Sequence, residues 1–226
     1  MTAVKEFYLI SPQEITVAIN KSNPAPIKGH VEGIDFLVFP HVSPSHQFRS
    51  TGILLKSIKQ LVEGKRVCDM GCGAGIVGLY ALQHGAKTVV QIDINIHAVA
   101  NARENNLLSE YTTNQVTTHH SNCFDDIPKQ TFDVIVFNIP YHSDMVKIED
   151  PLKYAFYDPG FRSTIKFLNQ AKNFSHSGTE IIISFSNKGD VTTLEDIFTK
   201  TKYKWELWHI ANTDQQYDNR IYRLTH

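Results

Sequence analysis

The chain of 226 residues carries 22 Lys and Arg against 23 Asp and Glu, a formal net charge of −1, and is 42% hydrophobic. This length sustains one substantial core, and the charge balance argues against a dedicated binder of long duplex DNA, which carries a basic patch. No apolar run approaches a membrane span and the amino terminus, Met1 to Tyr8, lacks the apolar core of a signal peptide, so a soluble, cytoplasmic protein is expected.

The first forty or so residues contain Thr16-Val-Ala-Ile19 and Phe36-Leu-Val-Phe39 around Asn23-Pro-Ala-Pro26. They read as short strands joined by a turn, an N-terminal β arm over 1–48 ahead of a main domain over 49–226. Strands and helices then alternate: strand 66–70, helix 76–84, strand 88–93, helix 96–106, strands 114–119 and 132–138, helix 161–174, strand 179–185, helix 190–201. That order demands parallel crossovers and hence a doubly wound α/β sheet. The end of the chain, Lys204 to Ile210 and Arg220 to Thr225, is two strands with no helix pattern between them. Three cysteines, Cys68, Cys72 and Cys123, form neither a disulfide framework nor a zinc pattern, and His119 and His120 face opposite sides of a strand, so no metal site is expected.

The informative stretch is Val67-Cys-Asp-Met-Gly-Cys-Gly-Ala-Gly75, a buried strand running into a glycine-rich turn and a helix. Asp69 closes the strand, while Gly71, Gly73 and Gly75 permit positive φ and close approach of a ligand to the backbone. A dinucleotide fingerprint wants a small residue where Ile76 stands. Eighteen residues beyond Gly75, the strand Thr88–Asp93 ends in a carboxylate, at the distance one βαβ unit needs. An acid at that strand tip can accept hydrogen bonds from both hydroxyls of a ribose. The run Phe132-Asp-Val-Ile-Val-Phe-Asn138 fits a parallel strand buried on both faces and leads into Asn138-Ile-Pro-Tyr141.

These motifs resemble class I S-adenosylmethionine (SAM) dependent methyltransferases, a Rossmann-like fold with a mostly parallel seven-stranded sheet closed by a C-terminal antiparallel hairpin. Asn138-Ile139-Pro140-Tyr141 is similar to the (Asp/Asn/Ser)-Pro-Pro-(Tyr/Phe) motif of members that methylate planar nitrogens, with Ile139 in place of a proline. The resemblance implies a cofactor site at Asp69, Gly71, Cys72, Gly73, Gly75, Asp93, Ile94, Asn122, Cys123 and Asn138, with Asn122 where an Asp usually meets the adenine amine. The same resemblance implies that the Asn138 side-chain oxygen and the residue-139 carbonyl hold the two amine hydrogens while Tyr141 stacks on the planar group. Upstream, Gly33 to Pro40 and Val42 to Leu55 resemble the strand, proline, threonine and helix of glutamine and related small-domain methyltransferases. Thr51 is the threonine of that pattern, and it and His142 are candidate acceptor-side residues. The resemblance runs from about Phe36 to at least Phe185.

The expected activity is therefore methylation of a planar nitrogen, with a glutamine side-chain amide of a translation factor or ribosomal protein as first acceptor. An exocyclic amine in tRNA or rRNA, a small-molecule acceptor, and a methyltransferase-like binding protein without turnover are the alternatives. The sequence sets no oligomeric state.

Overall fold

The computed structural model describes residues 25–45, 49–212 and 217–226. The strand expected at Thr16–Ile19 lies outside them, as do Asn23 and Pro24 of the turn expected beside it.

Two strands, β1 (Ile27–Val31) and β2 (Ile34–Val38), pair antiparallel with Ile27 opposite Val38. Glu32 and Gly33, both at positive φ (47° and 82°), make the two-residue connection between them, a turn whose twist matches that of a hairpin. The partner of the Phe36 strand is thus its immediate neighbour in sequence, and the turn is at Glu32-Gly33. The sequence reading missed it because Glu at the first turn position is a weak signal beside Asn or Asp.

The main sheet holds β3 (Arg66–Met70), β4 (Thr88–Asp93), β5 (Val116–His120), β6 (Phe132–Asn138), β7 (Ser175–Ser186), β8 (Lys204–Asn212) and β9 (Asp218–Thr225) in the order β5-β4-β3-β6-β7-β9-β8. β5 through β7 are parallel, and β9 runs antiparallel to both β7 and β8. The expected closing hairpin is therefore present. Helices α1 (Arg49–Ile58), α2 (Ile76–Gln83), α3 (Ile96–Leu108), α4 (Arg162–Ala171) and α5 (Val191–Lys200) complete the fold. Because successive strand residues point to opposite faces, the sheet carries two cores. Val67, Val134, Val136 and Ile182 pack with Leu54, Leu55 and Leu79 of α1 and α2. On the other face Cys68, Met70, Ile135 and Ile183 pack with Phe167 and Leu168 of α4 and Phe198 of α5. The strand order reverses between β3 and β6, and the crevice at their carboxyl ends is where an open α/β sheet binds ligands.

The helix expected at 161–174 is shorter, flanked by 3₁₀ turns at Pro159–Phe161 and Lys172–Phe174. Its start is set by Asp158, 1% exposed, whose carboxylate accepts from the Ser163 and Thr164 N–H groups at 2.8 and 2.9 Å and from the Thr164 hydroxyl at 2.7 Å. These bonds satisfy orphan donors of the first turn.

Two sets of buried amides fix the elements around the crevice. Asn101 and Asn105 of α3 bind the main chain of β2 and of Phe39 just after it: Asn105 Oδ1 accepts from the Leu37 N–H, Asn101 Oδ1 accepts from the Phe39 N–H, and both Nδ2 groups donate to the Leu37 carbonyl, all at 2.8–2.9 Å. Asn95 donates to the His41 carbonyl at 2.8 Å. Within β4, fully buried Gln91 donates to the Gly75 carbonyl at 3.1 Å, and its Oε1 accepts from Asn106 Nδ2 and from the Thr118 hydroxyl, each at 2.8 Å. A Cβ on Gly75 would lie 2.8 Å from Gln91 Nε2 and 3.1 Å from the Ala102 Cβ, at a φ of +83°. Gly75→Ala is expected to lose about 1–3 kcal/mol of stability in urea denaturation, through overpacking and a left-handed backbone. An unchanged midpoint would show that Gln91 moves aside at no cost.

Candidate active site

The turn after β3 is built from glycines at positive φ, 65° at Gly71 and 55° at Gly73. A Cβ on Gly71 would come within 2.9 Å of the Phe137 ring, whereas a Cβ on Gly73 would meet no protein atom within 4 Å. Glycine at 71 answers to packing; at 73 it leaves a space that a ligand can take. The turn is held from its neighbours. Asp93, at the tip of β4, accepts from the Gly73 N–H at 2.9 Å through Oδ2 and from the Asn95 N–H at 2.8 Å through Oδ1. The Cys72 N–H donates to the Ile92 carbonyl at 3.0 Å, and Asn105 Nδ2 donates to the Ala74 carbonyl at 2.8 Å. Asp69 Oδ2 reaches the Gly78 N–H of α2 at 3.0 Å. A carboxylate oxygen accepts more than one hydrogen bond, so Asp93 retains capacity for hydroxyl donors.

One cavity gathers most of the residues singled out from the sequence. Asp69, Gly71, Cys72 and Gly73 line it from β3 and its turn, Asp93 and Ile94 from the end of β4, and Asn122 and Cys123 from the segment after β5. Asn138 and Pro140 line it from the end of β6, and Thr51 from α1. Thr51 is 4% exposed and lies inside the helix, not at its cap; its hydroxyl donates to the Ser45 carbonyl at 2.7 Å. Side chains that the sequence reading did not assign to the site complete the wall: Val42 and Ser43 after β2, Ile76 and Val77 of α2, and Leu152, Tyr154 and Tyr157 from the connection between β6 and α4. The last three sit in a stretch with no periodicity, and only the fold brings them over the sheet end. A small apolar cluster of Leu152, Phe156 and Tyr157, packed with Val146 and Ile148, gives that connection a core of its own.

Four singled-out residues stand outside the cavity wall. Gly75 is packed under Gln91, as described. Ile139 is 1% exposed and its N–H donates to the Ser184 carbonyl of β7 at 3.2 Å. The half-buried Tyr141 donates its hydroxyl to Asn219 Oδ1 at 3.2 Å and meets Phe185 edge to face with ring centroids 5.6 Å apart. His142 pairs with the connection by main-chain bonds, its N–H to the Phe156 carbonyl at 3.1 Å and its carbonyl accepting from the Asp158 N–H at 2.8 Å. Burial lowers the His142 pKa, with the Asp144 charge opposing.

Asn138 lines the cavity with its hydrogen bonding incomplete. Its Oδ1 is buried and has no partner among the described residues. A buried acceptor without a donor costs free energy, so such an atom in a cavity is a place for a ligand hydrogen. The two strand-tip carboxylates are also held against their preference. Burial raises Asp69 from the ordinary carboxylate range to about 8, with the Gly78 N–H opposing and the Asp93 charge adding to the rise. Burial likewise raises Asp93, opposed by the N–H groups of Asn95 and Gly73. A cation placed beside them would favour their ionised forms. Burial also raises the Cys123 thiol to about 12 and the Cys72 thiol well above its usual value, so neither is a ready nucleophile. Among the described residues no group of three or more His, Cys, Asp and Glu is placed to hold a metal ion, and no helix is long and apolar enough to cross a membrane.

A glycine turn and an acidic strand tip at the switch point of a seven-stranded sheet, closed by an antiparallel hairpin, define a class I SAM-dependent methyltransferase. Residues 43–205 match the methyltransferase small domain family. The chain belongs to that family and uses SAM as its methyl donor. It is 30% identical over 172 residues to a Methanocaldococcus jannaschii protein named "Putative protein N5-glutamine methyltransferase", covering 74% of this chain and 84% of that one. It is 32% identical to ribosomal RNA small subunit methyltransferase C of Haemophilus influenzae, covering 59% of this chain and 36% of the relative. Of other curated relatives it spans between about a quarter and a half. Among solved structures, the T. thermophilus 16S rRNA N2 G1207 methyltransferase in complex with AdoMet and guanosine superposes with a TM-score of 0.65 at 17% identity, covering 89% of this chain and 50% of that one.

The raised Asp69 predicts a pH dependence of the ligand-free protein. Between the unfolded carboxylate pKa near 4 and the folded value of about 8, the folded state holds a proton that the unfolded state has lost. Stability contributed by this group is therefore full below pH 4 and falls as pH rises toward 8, by at most about 1.4 kcal/mol per unit. Asp69→Asn keeps an acceptor for Gly78 and removes the proton, so its stability relative to wild type should grow from pH 5 to pH 8. Parallel stability curves would show that Asp69 is ionised in the fold.

Proposed function

We propose that the cavity holds SAM against the Gly71–Gly73 turn, with Asp93 accepting from the ribose hydroxyls and Asn122 facing the adenine edge. Asp69, Cys72, Ile94 and Cys123 form the remaining wall, Gly75 supports the turn from behind, and Asn138 stands between the cofactor and the acceptor. The free space at Gly73 and the remaining hydrogen-bonding capacity of Asp93 support this reading. The bound cofactor supplies a methyl group on a positively charged sulfur, so the acceptor nitrogen needs alignment more than deprotonation.

The observation that carries the assignment to nitrogen is the unpartnered Asn138 Oδ1. A planar nitrogen has its lone pair delocalised into a carbonyl or ring and is a poor nucleophile until its hydrogens are held by acceptors. Asn138 Oδ1 takes one and the Ile139 carbonyl takes the other. Pro140, Leu152, Tyr154 and Tyr157 close the apolar side of the site against water. The first acceptor is the side-chain amide of a glutamine in a protein, supported by the name of the relative matched over most of both chains and by Thr51 in the cavity wall. On this reading residues 49–226 are the methyl-transfer unit and 1–48 an arm to it, acting in the cytoplasm, where three unpaired thiols stay reduced.

The experiment is incubation with tritiated SAM and a lysate from a strain lacking this gene. Label in protein, recovered as methylated glutamine after proteolysis, supports the acceptor; label in RNA replaces it with an exocyclic base amine. Calorimetry with SAM should show Gly73→Ala weakened by at least about tenfold, since the new methyl group enters the ligand's space. Asn138→Ala should bind SAM almost as wild type yet turn over roughly a hundred- to a thousandfold more slowly. Undiminished turnover in Asn138→Ala would reduce Asn138 to Tyr141 to an ordinary exit from a strand.

A further inference from the structure

The four residues Asn138 to Tyr141 leave β6 without the first proline of the motif they resemble, Ile139 standing in its place, so something other than ring rigidity must fix them. Three contacts to β7, β9 and the turn after β7 do so. The Ile139 N–H donates to the Ser184 carbonyl at 3.2 Å, a bond that proline at that position lacks the hydrogen to make. Two residues on, the Tyr141 hydroxyl donates to Asn219 Oδ1 at 3.2 Å, and Asn219 Nδ2 donates to Ser184 Oγ at 3.2 Å. Asn219 of β9 is 1% exposed and Ser184 of β7 fully buried, and the two face each other beside the register pair Ser184–Ile221. The third contact is the carbonyl of Tyr141 against Gly189, where an added Cβ would collide with that oxygen and with the Phe185 ring.

We infer that Asn219 is a positioning residue for methyl transfer: with Ser184 it braces Tyr141, and through Tyr141 and Ile139 it sets where Asn138 Oδ1 and the Ile139 carbonyl stand. This rests on the reading of Asn138 as the group that aligns the acceptor nitrogen. It assigns Tyr141 a different task from stacking on the acceptor. The ring lies edge-on to Phe185 and its hydroxyl is tied to β9, while the tyrosines in the cavity wall are Tyr154 and Tyr157. A buried side-chain bond of this kind acts on geometry, and small displacements of an aligning group lower the rate more than they weaken binding.

The test uses the full chain with tritiated SAM and the acceptor-bearing fraction of the lysate, comparing Tyr141→Phe, Asn219→Ala, the double variant and Asn219→Asp. Tyr141→Phe and Asn219→Ala should each lower kcat by about tenfold, leaving acceptor KM and SAM affinity within about twofold. The double variant should be no slower than the slower single, because both remove the same bond. Asn219→Asp, which keeps an acceptor for the Tyr141 hydroxyl, should recover most of kcat. A Tyr141→Phe enzyme with wild-type kcat, or one whose acceptor KM rises while kcat holds, overturns the brace. Additive losses in the double variant overturn it too. Asn138→Ala run alongside separates the two readings. If it keeps full turnover, the aligning role of the loop is what fails; if it collapses while Asn219→Ala does not, only the brace fails. Circular dichroism melts of each variant identify any that merely unfolds.

Discussion

The hydrogen bond from the Gly73 N–H to Asp93 joins the turn after β3 to the tip of β4, and the site depends on that junction. A glycine turn alone is a flexible object, since glycine loses more freedom on folding than any other residue. Here the turn is tied from several neighbouring elements at once. Asp93 takes one N–H, Ile92 another, Gln91 grips the Gly75 carbonyl and Asn105 the Ala74 carbonyl. The polar atoms responsible are themselves buried, where an unpaired group costs more than in water, so each bond is strongly specified. The outcome is a backbone cradle whose shape is fixed before ligand arrives.

The same construction explains the opposite wall. The end of β6 carries a buried polar atom without a partner among the described residues, Asn138 Oδ1, and the residues after it are tied to β7 and β9 through the Ile139 N–H and the Tyr141 hydroxyl. Rigid surroundings and one unmet acceptor are complementary properties. Were the loop free to move, Asn138 would relax toward some protein donor and the unmet acceptor would vanish. Electrostatic preorganisation of this kind is what lets a polar group act without reorganising at the moment of reaction.

The sheet and its ligand end were legible in sequence because continuous apolar strands, glycine clusters and strand-tip acids are short-range signals. β3, β4 and β6 are found where the residues place them, and Asp69, Gly73, Asp93 and Asn138 meet in one cavity. Other features were not legible, each for a physical reason. The hairpin turn at Glu32-Gly33 hides behind an uncommon turn residue. Gly75 looks like its neighbours in the motif, but the atom it makes room for is Gln91, sixteen residues away. Leu152 and Tyr157 are ordinary apolar residues in an aperiodic stretch, and Tyr141 points to a strand 78 residues later. Contacts of such separation leave no local pattern.

The asparagines that cap and line α3 bear on how this chain can vary. Asn95, Asn101 and Asn105 grip only main-chain atoms of Leu37, Phe39 and His41. Every amino acid but proline offers that same pair of groups, so these hydrogen bonds are indifferent to which side chains the segment from Leu37 to His41 carries. Val42 and Ser43, which follow the clamp and face the cavity, are thereby delivered to a fixed address whatever their chemistry. A descendant of this protein can rewrite that portion of the wall one residue at a time while the scaffold that presents it stays in place.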